Sequence, residues 1–209
     1  HRDLHSFPTR RSSDLGIYTH VTERALHQKR VLEEAGYKID KFIFNMHIDL
    51  NREIPSPLLP KGVTIRAART GQDDREIHAL VQEAFDWRER KAQPFEDWQS
   101  FMMQPEVYDE KLWFLAEKDA KLIGVCLCAR YSDIGWIRQL AVKKDFRNLG
   151  VGRALLQTAF SEFKSLGFPK AGLSVESANP SACHFYQTAG MYKAVHLDEY
   201  VKEIPRLKE

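Results

Sequence analysis

Cysteine is scarce. Cys126, Cys128 and Cys183 are the three in 209 residues, too few and too unevenly spaced for a disulfide framework, and no His or Cys cluster supplies four zinc ligands. Long apolar runs are missing too. None approaches the roughly 20 residues a helix needs to cross a bilayer, so no membrane partner is expected. Charge of one sign is also lacking: 31 Lys and Arg face 29 Asp and Glu, which gives no reason to expect nucleic acid as a partner. What remains is 43% hydrophobic and 29% charged, an ordinary globular composition with room for one well-buried domain plus extras. A reducing cytoplasm is the natural compartment for its thiols.

The first fifteen residues, HRDLHSFPTRRSSDL, share no apolar period with the rest and carry no apolar signal core. Read back into codons, they resemble a common short-read sequencing adapter without interruption. Residues 1–15 are therefore expected to be a non-native scar, and Gly16 an interior residue of a longer native chain.

Residues 51–61 read NREIPSPLLPK, where three closely spaced prolines resist both helix and ladder, and are expected to be a linker. Ahead of it, residues 24–35 are helix-like with Gly36 as C-cap, and FIFNMHIDL alternates as a strand does. So little structure cannot bury a core alone, so residues 16–50 are expected to be the tail of a truncated domain. After the linker the expected elements are a strand VTIRAA, a helix opened by Asp73 and Asp74, and a short helix from Pro94 through Trp98 and Met102. Strands WFLAEK, LIGVCLCARY and IGWIRQLAV follow, then a helix over 152–166, a strand GLSVE, a helix over 181–189 and a last strand near VHLDEYVKEI. This order predicts an α/β fold with a mixed sheet covered by helices.

The informative segment is IRQLAVKKDFRNLGVGRALL, a strand, a glycine loop and a helix start. A helix N-terminus offers unpaired N–H groups and partial positive charge, and Gly150 and Gly152 let phosphate oxygens come close to that backbone. A dinucleotide fingerprint would need glycine where Leu155 stands, and a P-loop would need a GK[ST] ending that GVGRA lacks. What remains is R-x-x-G-x-G, which by itself could also be a simple turn. A second segment, LSVESANPSACHFYQTAGM, sets Asn179 near a helix start and Tyr186 two turns further along the same side.

Together these segments resemble the GCN5-related N-acetyltransferase (GNAT) family, with Leu140-Ala141-Val142, Arg147 through Gly152, and Asn179, Ala182, Tyr186 and Gly190 in its motif positions. The resemblance covers roughly residues 62–203 and implies acetyl-CoA as co-substrate, with no metal, and a small-molecule or peptide amine as acceptor. It implies that the backbone of Leu140, Ala141 and Val142 pairs with the pantetheine arm like an added strand. Arg147 belongs to the same motif, and the amides of Asn148, Leu149, Gly150, Val151, Gly152 and Arg153 would hold the diphosphate. Asn179 would bond the pantetheine or thioester end, and Tyr186 would protonate the leaving thiolate, a sensible role for a phenol of pKa near 10. Asn179 also reads as a helix N-cap beside Pro180, and Tyr186 as a core tyrosine packing with Phe185.

The chain departs from the family at two loop positions, Lys144 for a frequent proline and Asn148 for a frequent glycine. The strand GWIRQLAV offers no carboxylate base, and Glu83, Asp86 and Glu176 are candidates by predicted proximity alone. Cys126 and Cys128 read as small core residues on one strand face, and Cys183 as core rather than nucleophile. Trp87, Trp98, Trp113, Trp136, Phe95 and Phe101 fit an acceptor pocket or a core, and Arg138 a surface for an acidic acceptor group.

A shift of 154 positions lays Ala35-Gly36 on Ala189-Gly190 but Ala25 on Asn179 and Leu32 on Tyr186. Residues 16–50 then read as the end of a second acetyltransferase-like domain without its chemical residues, and residues 62–205 as the working one. The chain looks like the C-terminal half of a tandem arrangement. The competing reading is a non-catalytic acyl-CoA-binding or regulatory module.

Overall fold

A computed structural model describes residues 16–85 and 93–204. Residues 1–15, Asp86, Trp87 and residue 205 lie outside the described residues. Among the described residues eight strands build a mixed sheet flanked by helices, and these residues divide into two compact units, one within 48–173 and the other of 16–47 with 174–204.

The unit of residues 48–173 contains β3 (Val63–Ala67), α2 (Asp74–Phe85), α3 (Phe95–Met102), β4 (Trp113–Lys118), β5 (Lys121–Arg130), β6 (Gly135–Val142), α4 (Val151–Ser165) and the first half of β7 (Lys170–Glu176). Strands β3 to β6 form an antiparallel meander, and β7 joins β6 in parallel. Residues 122–129 of β5 are all buried, the unbroken apolar pattern of a strand covered on both faces. Val125 and Leu127 belong to the core built with Ile77, Leu80 and Trp98 of α2 and α3. Gly124 faces Leu155 and Val151 of α4. The start of α2 is fixed to β3 by charge: Arg66 and Arg69 donate to the buried Asp73 carboxylate, and these bonds hold it well below the usual carboxylate range.

The hairpin between β4 and β5 turns through Asp119 and Ala120, both at positive φ (49° and 55°). Such a turn favours glycine at its second position, and alanine is strained there. Ala120→Gly is therefore expected to raise stability by about 0.5–1 kcal/mol, read as a higher urea midpoint at unchanged slope.

The other unit holds β1 (Gly16–Thr22), α1 (Leu26–Glu34), β2 (Lys38–Asp49), the end of β7, α5 (Pro180–Thr188) and β8 (Tyr192–Glu203). β8 is antiparallel to β1 on one side and to β2 on the other. The shift of 154 carries β1, α1 and β2 onto β7, α5 and β8 with every boundary matched. Ile43 pairs with Leu197, its own image under that shift, so a local two-fold axis passes between β2 and β8. Hydrogen bonds obey it: Glu23 N donates to His196 O at 3.0 Å, and Ser177 N donates to Phe42 O at 2.9 Å. Side chains break it. His20 lies 2.8 Å from Glu199, whereas the equivalent pair is Ser174 donating to Asn45 at 2.7 Å. Burial alone would raise the Glu199 pKa, but the His20 hydrogen bond and the Lys41 charge outweigh it and hold the carboxyl at about 2.

Candidate functional site

β6 carries the first part of the site. Its ladder with β5 jumps from Leu127↔Gln139 to Cys128↔Ile137, leaving Arg138 as a bulge. Parallel pairing with β7 covers Gly135, Trp136 and Ile137 and goes no further. Among the described residues, Leu140, Ala141 and Val142 thus have a ladder partner on the β5 side alone, and their other edge suits an extended ligand. Arg138 packs its guanidinium 4.3 Å above the Phe101 ring and donates to Met102 O at 3.3 Å; desolvation lowers its pKa. Through these contacts Arg138 braces β6 against α3. Gln139 is held from the same helix by Trp98 Nε1 at 3.1 Å.

The loop after β6 is shaped by Arg147, whose Nε donates to Val142 O at 3.0 Å and whose Nη2 donates to Ala84 O at 3.4 Å. Asn148 sits at φ +60°, a left-handed conformation that asparagine tolerates better than most residues. This accounts for its standing where the family often has glycine. Gly150 is the N-cap of α4 at φ +88° and supplies no capping side chain; the first turn of the helix holds no acidic residue. The first helical bond from this cap runs from Ala154 N to Gly150 O at 3.0 Å, so the amides of Val151, Gly152 and Arg153 precede the regular ladder. The Val151 side chain is buried, and Leu149 is exposed. Unladdered amides at the positive end of a fifteen-residue helix fit a diphosphate. A feature not expected from sequence flanks them: Pro60 Cγ lies 3.7 Å from where a Gly150 Cβ would stand.

In the other unit, Asn179 caps α5, its Oδ1 accepting from Ala182 N at 3.0 Å, with Pro180 as the first helical residue. Capping occupies that oxygen and not the amide nitrogen. Tyr186 is half-buried with its ring edge-on to Phe185, centroids 5.2 Å apart. At the equivalent places on α1, Ala25 gives no side-chain cap, and position 32 is leucine. Glu176 lies 3.5 Å from the Lys41 ammonium, and Glu83 is exposed on α2. Cys126 and Cys128 are buried with sulfurs 3.7 Å apart, and Cys183 is buried. Trp98 and Trp113 are fully buried core residues. Among the described residues no group of three or more His, Cys, Asp or Glu could hold a metal ion, and no helix is long and apolar enough to cross a membrane.

A strand edge released at a bulge, then a glycine loop, then an uncapped helix: this is the architecture of the acyl-CoA acyltransferase fold class. Residues 75–191 match the sequence profile of the Acetyltransferase (GNAT) family, and the chain belongs to that family. It is 31% identical over 156 residues to the mycothiol acetyltransferase of Thermobispora bispora, covering 71% of this chain and 52% of that protein. It is 30% identical over 152 residues to that of Streptomyces coelicolor, covering 66% and 45%. The chain thus spans about half the length of the curated relatives it matches. A GCN5-related N-acetyltransferase from Sphaerobacter thermophilus superposes with a TM-score of 0.78 at 30% identity, covering 92% of this chain and 61% of that one. A tandem GNAT protein from the clavulanic acid biosynthesis pathway shares the fold at 12% identity, with a TM-score of 0.69 over 92% of this chain and 65% of that one.

Proposed function

We propose that the chain is an acetyl-CoA-dependent N-acetyltransferase acting on the amine of a small molecule or peptide by direct attack. The observation that carries this reading is the uncapped start of α4 behind Gly150, one short loop after the edge of Leu140, Ala141 and Val142 that β7 leaves without a strand partner. Acetyl-CoA supplies the activated acetyl thioester. The β6 edge orients the pantetheine arm, the amides of residues 148–153 hold the diphosphate, and Arg147 keeps their loop in shape. Asn179, through the amide nitrogen its cap leaves available, bonds the pantetheine end. Tyr186 donates its phenolic proton to the departing thiolate. The free thiols suit a reducing cytoplasm.

Residues 16–50 are, in the same proposal, the closing part of a second acetyltransferase-like domain, joined through 51–61 to the working domain at 62–205. The local two-fold axis between β2 and β8 supports this. A second functional reading, an acyl-CoA-binding or regulatory module without catalysis, is favoured by the absence of a carboxylate on β6 and by the ion pair of Glu176 with Lys41.

Calorimetry with acetyl-CoA separates these readings. The whole chain is expected to bind in the micromolar range, and Gly150→Glu/Gly152→Glu to weaken binding by at least ~100-fold, since two carboxylates replace the space and charge that a diphosphate needs. Equal binding by both would remove the cradle. Binding without thioester loss across a panel of amines would favour the regulatory module.

A further inference from the structure

The proline-rich segment ahead of β3 is more than a connection. Burial along it has a period of three: Ile54, Pro57 and Pro60 are half-buried, and residues 55, 56, 58 and 59 are exposed, as in a polyproline II helix with one face covered. Both ends are fixed on α4. At the last turn of that helix Lys164 Nζ donates to Arg52 O at 2.6 Å, and at its first turn Pro60 stands against Gly150. The lengths agree, since eight polyproline II residues span about 25 Å and fourteen helical residues about 21 Å. The segment is a strap tied to the two ends of α4, the second of them at the proposed diphosphate cradle.

The residue that follows Pro60 is Lys61, exposed, with its Cα about 3.8 Å from that of Pro60. Its flexible four-carbon stem gives the ammonium reach around the mouth of the cradle. Pro60 O accepts from Val63 N at 3.0 Å, which fixes the backbone on either side of Lys61 while its side chain stays in solvent. We infer that the strap is a wall of the cradle and that Lys61 is a phosphate-binding residue of the CoA site. This rests on the acetyl-CoA reading above.

Calorimetric titration of the whole chain with acetyl-CoA tests it. Lys61→Gln is expected to weaken binding about fivefold, the loss of one charge-assisted contact at an exposed site, and to flatten the dependence of Kd on salt. Lys61→Arg is expected to restore both. Repeating the titration with 3′-dephospho-CoA locates the contact: a penalty that persists assigns the ammonium to the diphosphate, and one that disappears assigns it to the 3′-phosphate. Wild-type affinity in Lys61→Gln, or a loss that arginine does not restore, overturns the inference while leaving the cradle intact. Failure of the unaltered chain to bind acetyl-CoA overturns both.

Discussion

Gly135→Ala is expected to lower the unfolding free energy by about 3 kcal/mol, measured as a fall in the urea midpoint. The added Cβ would stand 2.3 Å from Cγ and Cδ1 of Phe163 and 2.5 Å from its Cε1, far inside the 3.5–4.0 Å at which carbon atoms rest. Neither side can yield cheaply. Gly135 is paired with Arg130 on β5 and with Ala171 on β7. Phe163 is fully buried on α4, with its ring edge-on to Phe168. Phe163→Leu removes the ring from the collision, so the double variant is expected to fall short of the sum of the two single losses by about 1 kcal/mol or more. Additive losses would show that α4 shifts freely on the sheet. Because β6 carries the pantetheine edge and α4 the cradle, this contact also sets the spacing between two parts of the proposed site.

Tyr186→Phe is expected to lower kcat about 100-fold or more while leaving acetyl-CoA affinity within about twofold, because the substitution removes one proton donor and keeps the ring and its contact with Phe185. Steady-state kinetics set beside calorimetry checks both halves. An unchanged kcat removes the assigned role and leaves the fold untouched. A parallel loss of affinity would instead assign the hydroxyl to binding.

Much of this was legible in the residues. The spacing of Ile77, Leu80, Val81 and Ala84 announces α2, and the glycines at 150 and 152 mark the start of α4 because only a local rule is needed. The bulge at Arg138 was not legible: a one-residue offset between neighbouring strands is a property of the pair, and GWIRQLAV reads as an unbroken strand. β1 was missed as well. GIYTHVT has three apolar or aromatic residues among polar ones and becomes a strand because β8 supplies its partner. The strap along α4 was hidden for a different reason. Proline identifies what a segment cannot be, and its period of three emerges once the helix beneath it is known.

The placing of β8 between β1 and β2 has a consequence for how the molecule is made. Residue 16 pairs with residue 203, so the first described strand leaves the ribosome long before its partner exists. Until then α1, β1 and β2 hold apolar groups such as Ile43 and Met46 without the strand that covers them. Closing so long a loop is slow, and unpaired edges of this kind invite association with other chains. The residues 48–173 can collapse in the meantime. Among the described strands, β8 must then insert into the gap between β1 and β2, a step that cannot be completed until synthesis has passed residue 203.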